Sequence, residues 1–389
     1  MPTRREVLAG AVAAAIAPGV PHAVPASPPV GRRAALAAAL QRSDSLAAHA
    51  ARLGILFGTS VTMLALDRDP SYARAVANEC SILVPEYVLK PYFTRSQPDS
   101  FTFAAADRVA EFAFAHGMAF RGHTLVWGDA VPAWVPSTLT NTEAIREELL
   151  LEVTEPCRHF RGQVDSWDVL NEVINVPDGQ ADGLRKTFWQ QKLGPDYIPL
   201  ALTAARQSDP DAVLVLNEFG IEADGPEYDV KRKALLDLLR SLRRNNVPLD
   251  ALGLQAHLSD PVKAPIAPAV LDRFLSSVSE LGLKILVTEL DVNDKRMAAD
   301  LDARDGTVAR VAGDFLTTVL RHPGVTSVVV WGLSDKYSWI RHSRWFRRDD
   351  GMPARATLLD ESSARKASYG AARAAFDGAA PRPAQINAR

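Results

Sequence analysis

The amino-acid sequence predicts an α/β chain folded as a single (β/α)8 TIM barrel. Three observations carry that expectation. Eight apolar, strand-like runs alternate with helical patterns, which calls for a parallel sheet with crossover helices. The alternation fits within about 360 of the 389 residues, the scale of one barrel with long loops. No Gly-x-Gly-x-x-Gly follows the first strand, so nothing favours an open dinucleotide-binding sheet.

Residues 1–26 read as an export leader rather than as part of the fold. Thr3-Arg4-Arg5-Glu6-Val7-Leu8, the mildly apolar Ala9 to Ala17 and the small-residue exit Val24-Pro25-Ala26 fit a twin-arginine signal. The apolar run is too short to span a bilayer, and no Cys follows it to carry a lipid. Export to the periplasm or beyond, with no membrane anchor, is expected; an amphipathic helix with a chance Arg-Arg pair is the alternative. Residues 27–378 form the barrel, and the Pro- and Ala-rich 379–389 reads as a frayed tail.

The expected strands, in order, are Ile55–Gly58, Ser81–Pro85, Ala119–Trp127, Val164–Asn171, Ala212–Asn217, Leu252–His257, Lys284–Glu289 and Thr326–Trp331. Between them, Thr140 with Glu143 makes a capping box ahead of a helix over Ile145–Phe160. Gly117, Gly162 and Gly282 sit where helices end. Cys157 falls on that helix's apolar stripe with Ile145, Leu149, Val153 and Phe160, where a small buried hydrophobe belongs.

Composition narrows the function. The formal charge of −2 becomes −3 when Arg4, Arg5 and Glu6 leave with the leader, two positive charges and one negative. A near-neutral chain gives no support for nucleic acid or anionic membrane as partner and suits neutral substrates. Two cysteines, Cys80 and Cys157, can build neither a disulfide framework nor a cysteine metal site, although one bridge between them is conceivable. The eight histidines are scattered without His-x-His or His-Glu-x-x-His, so no metal is expected.

The C-terminal ends of barrel strands are where chemistry is built, and polar and aromatic residues gather there. They are Glu86 with Lys90, His123 with Trp127, Asn171 with Glu172, Asn217 with Glu218, Gln255 with His257, Glu289 with Asp291, and Trp331 with Trp339. Glu172 and Glu289 each close an apolar strand, where an unpaired carboxylate costs several kcal/mol, so both must be hydrogen-bonded, cleft-exposed, or both. Such a pair suggests acid/base work; taken singly, each could as well be a structural cap.

Five segments in order make the sequence resemble glycoside hydrolase family 10, the retaining endo-β-1,4-xylanases, over residues 45–376. They are Arg121-Gly-His-Thr-Leu-Val-Trp127, Trp167-Asp-Val-Leu-Asn-Glu172, Leu254-Gln-Ala-His257, Thr288-Glu-Leu-Asp291 and Trp331-Gly-Leu-Ser-Asp-Lys-Tyr-Ser-Trp339. The resemblance implies a (β/α)8 barrel with Glu172 as acid/base and Glu289 as nucleophile. His257 and Asp291 resemble the family's support for the nucleophile, and His123 and Lys90 its contacts to sugars on the non-reducing side. Gln255 lies beside His257, Asn171 can donate to a sugar 2-hydroxyl, and Trp127, Trp331 and Trp339 offer flat faces to sugar rings. The partner is then a β-linked polysaccharide acted on by a monomer without cofactor.

The chemistry agrees with the resemblance. A retaining glycosidase sets a nucleophilic carboxylate about 5–5.5 Å from a protonated partner. Burial and the charge of Glu289 are expected to keep Glu172 protonated until Glu289 is esterified. Departures are expected on the glycone side. Glu86-Tyr-Val-Leu-Lys90-Pro91 stands where the family has Glu-Asn-x-Met-Lys-Trp, Gly128 where it has His, and Asn217-Glu-Phe-Gly220 where it has Asn-Asp-Tyr-Asn. Tyr87 and Gly128 together suggest a second glycone subsite with redistributed room. A same-mechanism hydrolase of another β-linked polysaccharide, such as a bacterial exopolysaccharide, is therefore the alternative; a non-catalytic binding barrel would be free to lose either glutamate.

Overall fold

The computed structural model describes residues 27–382. The export leader expected at residues 1–26 lies outside them, as does the end of the expected tail. Nine parallel strand segments form one sheet: β1 (Leu56–Val61), β2 (Ile82–Pro85), β3 (Ala119–Trp127), β4 (Val164–Asn171), β5 (Val213–Glu218), β6 (Ala251–Leu254), β7 (His257–Leu258), β8 (Lys284–Val292) and β9 (Val325–Val330). The order runs β6-β5-β4-β3-β2-β1-β9-β8, and β6 pairs with β8, Leu252 opposite Ile285, to close the ring. Because β7 only continues β6 after a break, the barrel has the eight staves the sequence predicts.

The strands are buried on both faces, as a parallel sheet under helices requires, and so they read as unbroken apolar runs rather than alternating ones. The third and fourth strands fall at the expected residues. The sixth does not: the expected run Leu252–His257 is interrupted, with Ala256 in the left-handed region at φ 58° and its N–H donated to Glu222 Oε1 at 2.8 Å. The seventh runs on past Glu289 to Val292. Inside the barrel, Gly122 is the notch that admits Trp167, since a Cβ there would lie 2.0 Å from its ring.

Helices wrap the outside, and Leu301–Val319 packs against the C-terminal helix Ala367–Gly378. Helix Thr142–His159 buries Ile145, Leu149, Val153 and Cys157 as the stripe predicts. Its cap is displaced by one residue: Asn141, not Thr140, accepts from the Glu143 N–H at 2.8 Å, a role asparagine fills as well as threonine. Gly117, Gly162 and Gly282 all take positive φ after helix ends. Cys80 and Cys157 are separate buried thiols, so no bridge joins them.

At the N-terminal mouth, helix Arg32–Leu40 lies across the barrel, with Arg32 reaching Asp165 at 3.5 Å and the Thr326 carbonyl. The expected frayed tail is tied down at its start. Ala379 packs on the core, and Arg382 donates to the carbonyls of Leu320 at 3.2 Å and His322 at 3.1 Å, in the turn that follows helix Leu301–Val319. No helix among the described residues is long and apolar enough to cross a membrane.

Candidate active site

The strand ends deliver their side chains into one cleft. Glu86, Lys90, His123, Trp127, Asn171, Glu172, His257, Glu289, Trp331 and Trp339 line it. Gln255 and Asp291, the other two residues singled out in the sequence, stand just behind and brace those in front.

Glu289, near the end of β8, is held from both sides. Asn217 Nδ2 donates to Oε1 at 2.7 Å and His257 Nε2 to Oε2 at 3.1 Å. Burial alone would raise its pKa, but His123, His257 and Lys90 win and lower it to about 2. Glu289 is therefore an anion at working pH. His257 is shared between two carboxylates, with Nδ1 3.0 Å from Asp291 Oδ1. Donating to both requires both ring nitrogens protonated. Burial opposes that charge, yet Asp291 and Glu289 together raise the pKa to about 10. Asp291 is fixed in turn by Trp339 Nε1 at 2.7 Å.

Across the cleft, Glu172 follows β4 in the left-handed region at φ 58°, a conformation few non-glycine residues adopt. Its backbone is clamped there: its N–H donates to the Asn217 carbonyl at 2.9 Å, and its carbonyl accepts from Arg185 Nε at 2.7 Å. The carboxylate meets Gln255 Nε2 at 3.4 Å and Arg185 Nη2 at 3.4 Å. Asn171 is oriented by its oxygen, which accepts from Asn217 at 2.9 Å and Gln255 at 3.2 Å. With the oxygen occupied, the amide nitrogen is the end left for the cleft.

The other wall is polar and aromatic. His123 Nδ1 lies 2.9 Å from Asp168 Oδ2 and 3.9 Å from Glu289 Oε1. Lys90 Nζ sits 5.0 Å from the Trp127 ring and 5.9 Å from that of Trp331, within cation–π reach. Glu86 is buried, and burial first, then Glu289 and Asp291, push it up to about 7 against the lowering effect of Tyr87 and Lys90.

At Gly128 the neighbouring loop comes close: a Cβ there would lie 2.5 Å from Thr187 Cγ2, so a methyl from the loop after β4 stands where a side chain at 128 would begin. Three contributors went unassigned in the sequence. Asn217, noted only as a strand end, links Asn171 to Glu289 and is itself held by Thr288 Oγ1 at 2.6 Å. Arg185 and Thr187 lie on the loop after Glu172, and Asp182-Gly183-Leu184-Arg185, thirteen residues beyond it at the arginine, was the available signal. Glu218, by contrast, is structural, accepting the Ile174 N–H at 2.7 Å and pairing with Lys231 at 2.8 Å.

A closed parallel barrel carrying a braced glutamate pair, an asparagine beside one member and tryptophan walls defines the glycoside hydrolase class. The profile of glycosyl hydrolase family 10 matches residues 45–375, and the chain belongs to that family. Endo-1,4-beta-xylanase B of Thermotoga neapolitana is 33% identical over 274 residues, covering 69% of this chain and 74% of that protein. Endo-1,4-beta-xylanase A of Thermoanaerobacterium saccharolyticum is 32% identical over 292 residues, 70% of this chain but 24% of the relative; this chain spans about a quarter of its length. Xylanase 10B from Thermotoga petrophila, solved in complex with xylobiose, superposes with a TM-score of 0.77 at 27% identity, over 86% of this chain and 97% of that one.

Proposed function

We propose that the chain is a retaining endo-β-1,4-xylanase that cleaves internal xylosidic bonds by double displacement. The observation that carries this reading is the provision made for Glu289: two donors, Asn217 and the cationic His257, hold it as an anion, aimed into a cleft that Glu172 faces. In the first step Glu289 attacks the anomeric carbon, and Glu172 gives its proton to the departing glycosidic oxygen. The glycosyl ester cancels the charge on Glu289, and Glu172, now a carboxylate, takes a proton from the water that breaks the ester. Asn171 offers its amide to the 2-hydroxyl, a contact that strengthens in the transition state. His257 stays cationic throughout because Asp291 remains to balance it.

Two experiments test this. Glu172→Ala and Glu289→Ala should each remove most activity on polymer. Azide should then rescue the Glu172 variant on an activated aryl glycoside, giving a β-azide, and yield at most the α-azide with the Glu289 variant. An inverted anomer from the unaltered enzyme would sink the double displacement. Screening xylan, mixed-linkage glucan, cellulose and bacterial exopolysaccharides decides between xylan and the second reading, another β-linked polysaccharide, which Tyr87 in the glycone wall favours. Export by the twin-arginine route is likewise our inference; unchanged export of an Arg4→Lys, Arg5→Lys precursor would exclude it.

A further inference from the structure

Beside the cleft, and sharing His257, Trp339 and Trp345 with it, lies a groove of about 330 Å3. That is within the range of small-ligand sites, about 300–1,000 Å3. The loops after β7, β8 and β9 build it, and they are locked together. Asn293 Nδ2 donates to the Phe346 carbonyl at 3.3 Å, and Lys295 Nζ to the Trp345 carbonyl at 3.0 Å. The groove is therefore preformed, which lowers the ordering cost of binding.

Its charges are unequally committed. Both Asp291 oxygens are taken, by His257 and Trp339. Asp260 turns back on its own loop to accept the Val262 N–H at 2.9 Å. Lys295 pairs with Asp349 at 3.2 Å. Lys263 and Arg296 line the groove, exposed, and have no carboxylate partner among the described residues. From the β9 loop, Trp345 and Phe346 line the groove; of the arginines around them, Arg341 pairs with Glu361 and Arg348 with Asp350, and Arg344 lies 4.8 Å over the Trp345 ring. Trp345 is 42% exposed and presents a face to both cleft and groove.

We propose that this groove receives a carboxylate-bearing branch, a uronic acid unit, of a polysaccharide whose main chain occupies the cleft. Trp345 stacks on the branch sugar, Arg296 takes its carboxylate through a fork of N–H donors, and Lys263 adds a second charge. A neutral branch would gain only the stacking. The proposal rests on the cleft being a xylan-cleaving site, and its test separates the two.

The double variant Lys263→Ala, Arg296→Ala is compared with the unaltered enzyme on unbranched xylo-oligosaccharide, on the same chain bearing glucuronic acid, and on its carboxyl-reduced form. The expected result is a loss of about threefold to tenfold in kcat/KM on the acidic substrate alone, with that of the unaltered enzyme falling as salt is raised. Equal effects on all three substrates, or none, would overturn the groove. Calorimetry with the acidic and carboxyl-reduced oligosaccharides distinguishes the failures. Carboxylate-dependent affinity without cleavage of any substrate supports the groove while removing the xylanase reading; cleavage without such affinity does the reverse.

Discussion

Replacing His257 with asparagine removes the cation lodged between Glu289 and Asp291, and the structure sets the size and the pH range of the effect. Although burial lowers it, the two carboxylates raise the His257 pKa from an ordinary 6.5 to about 10. At about 1.4 kcal/mol per pKa unit, that rise is worth at most about 5 kcal/mol. Asparagine restores one of the two hydrogen bonds, worth about 1.5–3 kcal/mol when the partner is charged. The expected loss is therefore about 3 kcal/mol near pH 6. A pKa raised on folding contributes stability that is fully present below 6.5 and is lost as pH rises through about 10. The gap between the unaltered protein and the variant should close accordingly at about pH 11. Urea unfolding followed by tryptophan fluorescence at both pH values measures it, and initial rates on xylan should fall at least about tenfold as Glu289 loses a donor. A gap that is the same at both pH values, or below about 1 kcal/mol at pH 6, refutes the shared-cation account.

Three further outcomes are expected. Gly128→Ala, which drives a methyl against Thr187, should cost about 1–3 kcal/mol in a thermal or urea melt, and Thr187→Ser, by deleting Cγ2, should recover much of it. Tyr87→Asn should raise kcat/KM on xylotetraose about threefold to tenfold if the missing amide limits glycone binding, leaving a one-sugar aryl xyloside unchanged; equal change on both substrates would place the limit elsewhere. Lowering the pH through about 2 should protonate Glu289, whose depressed pKa contributes stability above 4.5 that is lost on acidification. Glu289→Gln should therefore show a shallower acid-unfolding curve than the unaltered protein.

The barrel was legible because its signal is local and repeated: runs such as Ile285-Leu-Val and Val328-Val-Val need two-sided burial, and glycines mark where the helices stop. The break at Ala256 was not, because what bends the chain there is Glu222, whose carboxylate holds the Ala256 N–H from another loop. The glutamates and their immediate partners stood out from strand-end position and from family resemblance. Asn217, Arg185 and Thr187 did not, since their roles depend on which distant atoms they meet. Gly128 makes the same point: nothing local in the sequence shows that Thr187, from the loop after β4, stands where its side chain would begin.

That fit between Gly128 and Thr187 has a consequence for anyone recombining this enzyme with its relatives. The two positions belong to different crossovers, so a chimaera cut anywhere between them separates a matched set. Bringing in a β3 loop with histidine at position 128 would leave two side chains competing for one volume, while bringing in only the β4 loop would risk an unfilled hole beside the glycone wall. Loop exchange should therefore treat residues 128 and 187 as one transferable unit.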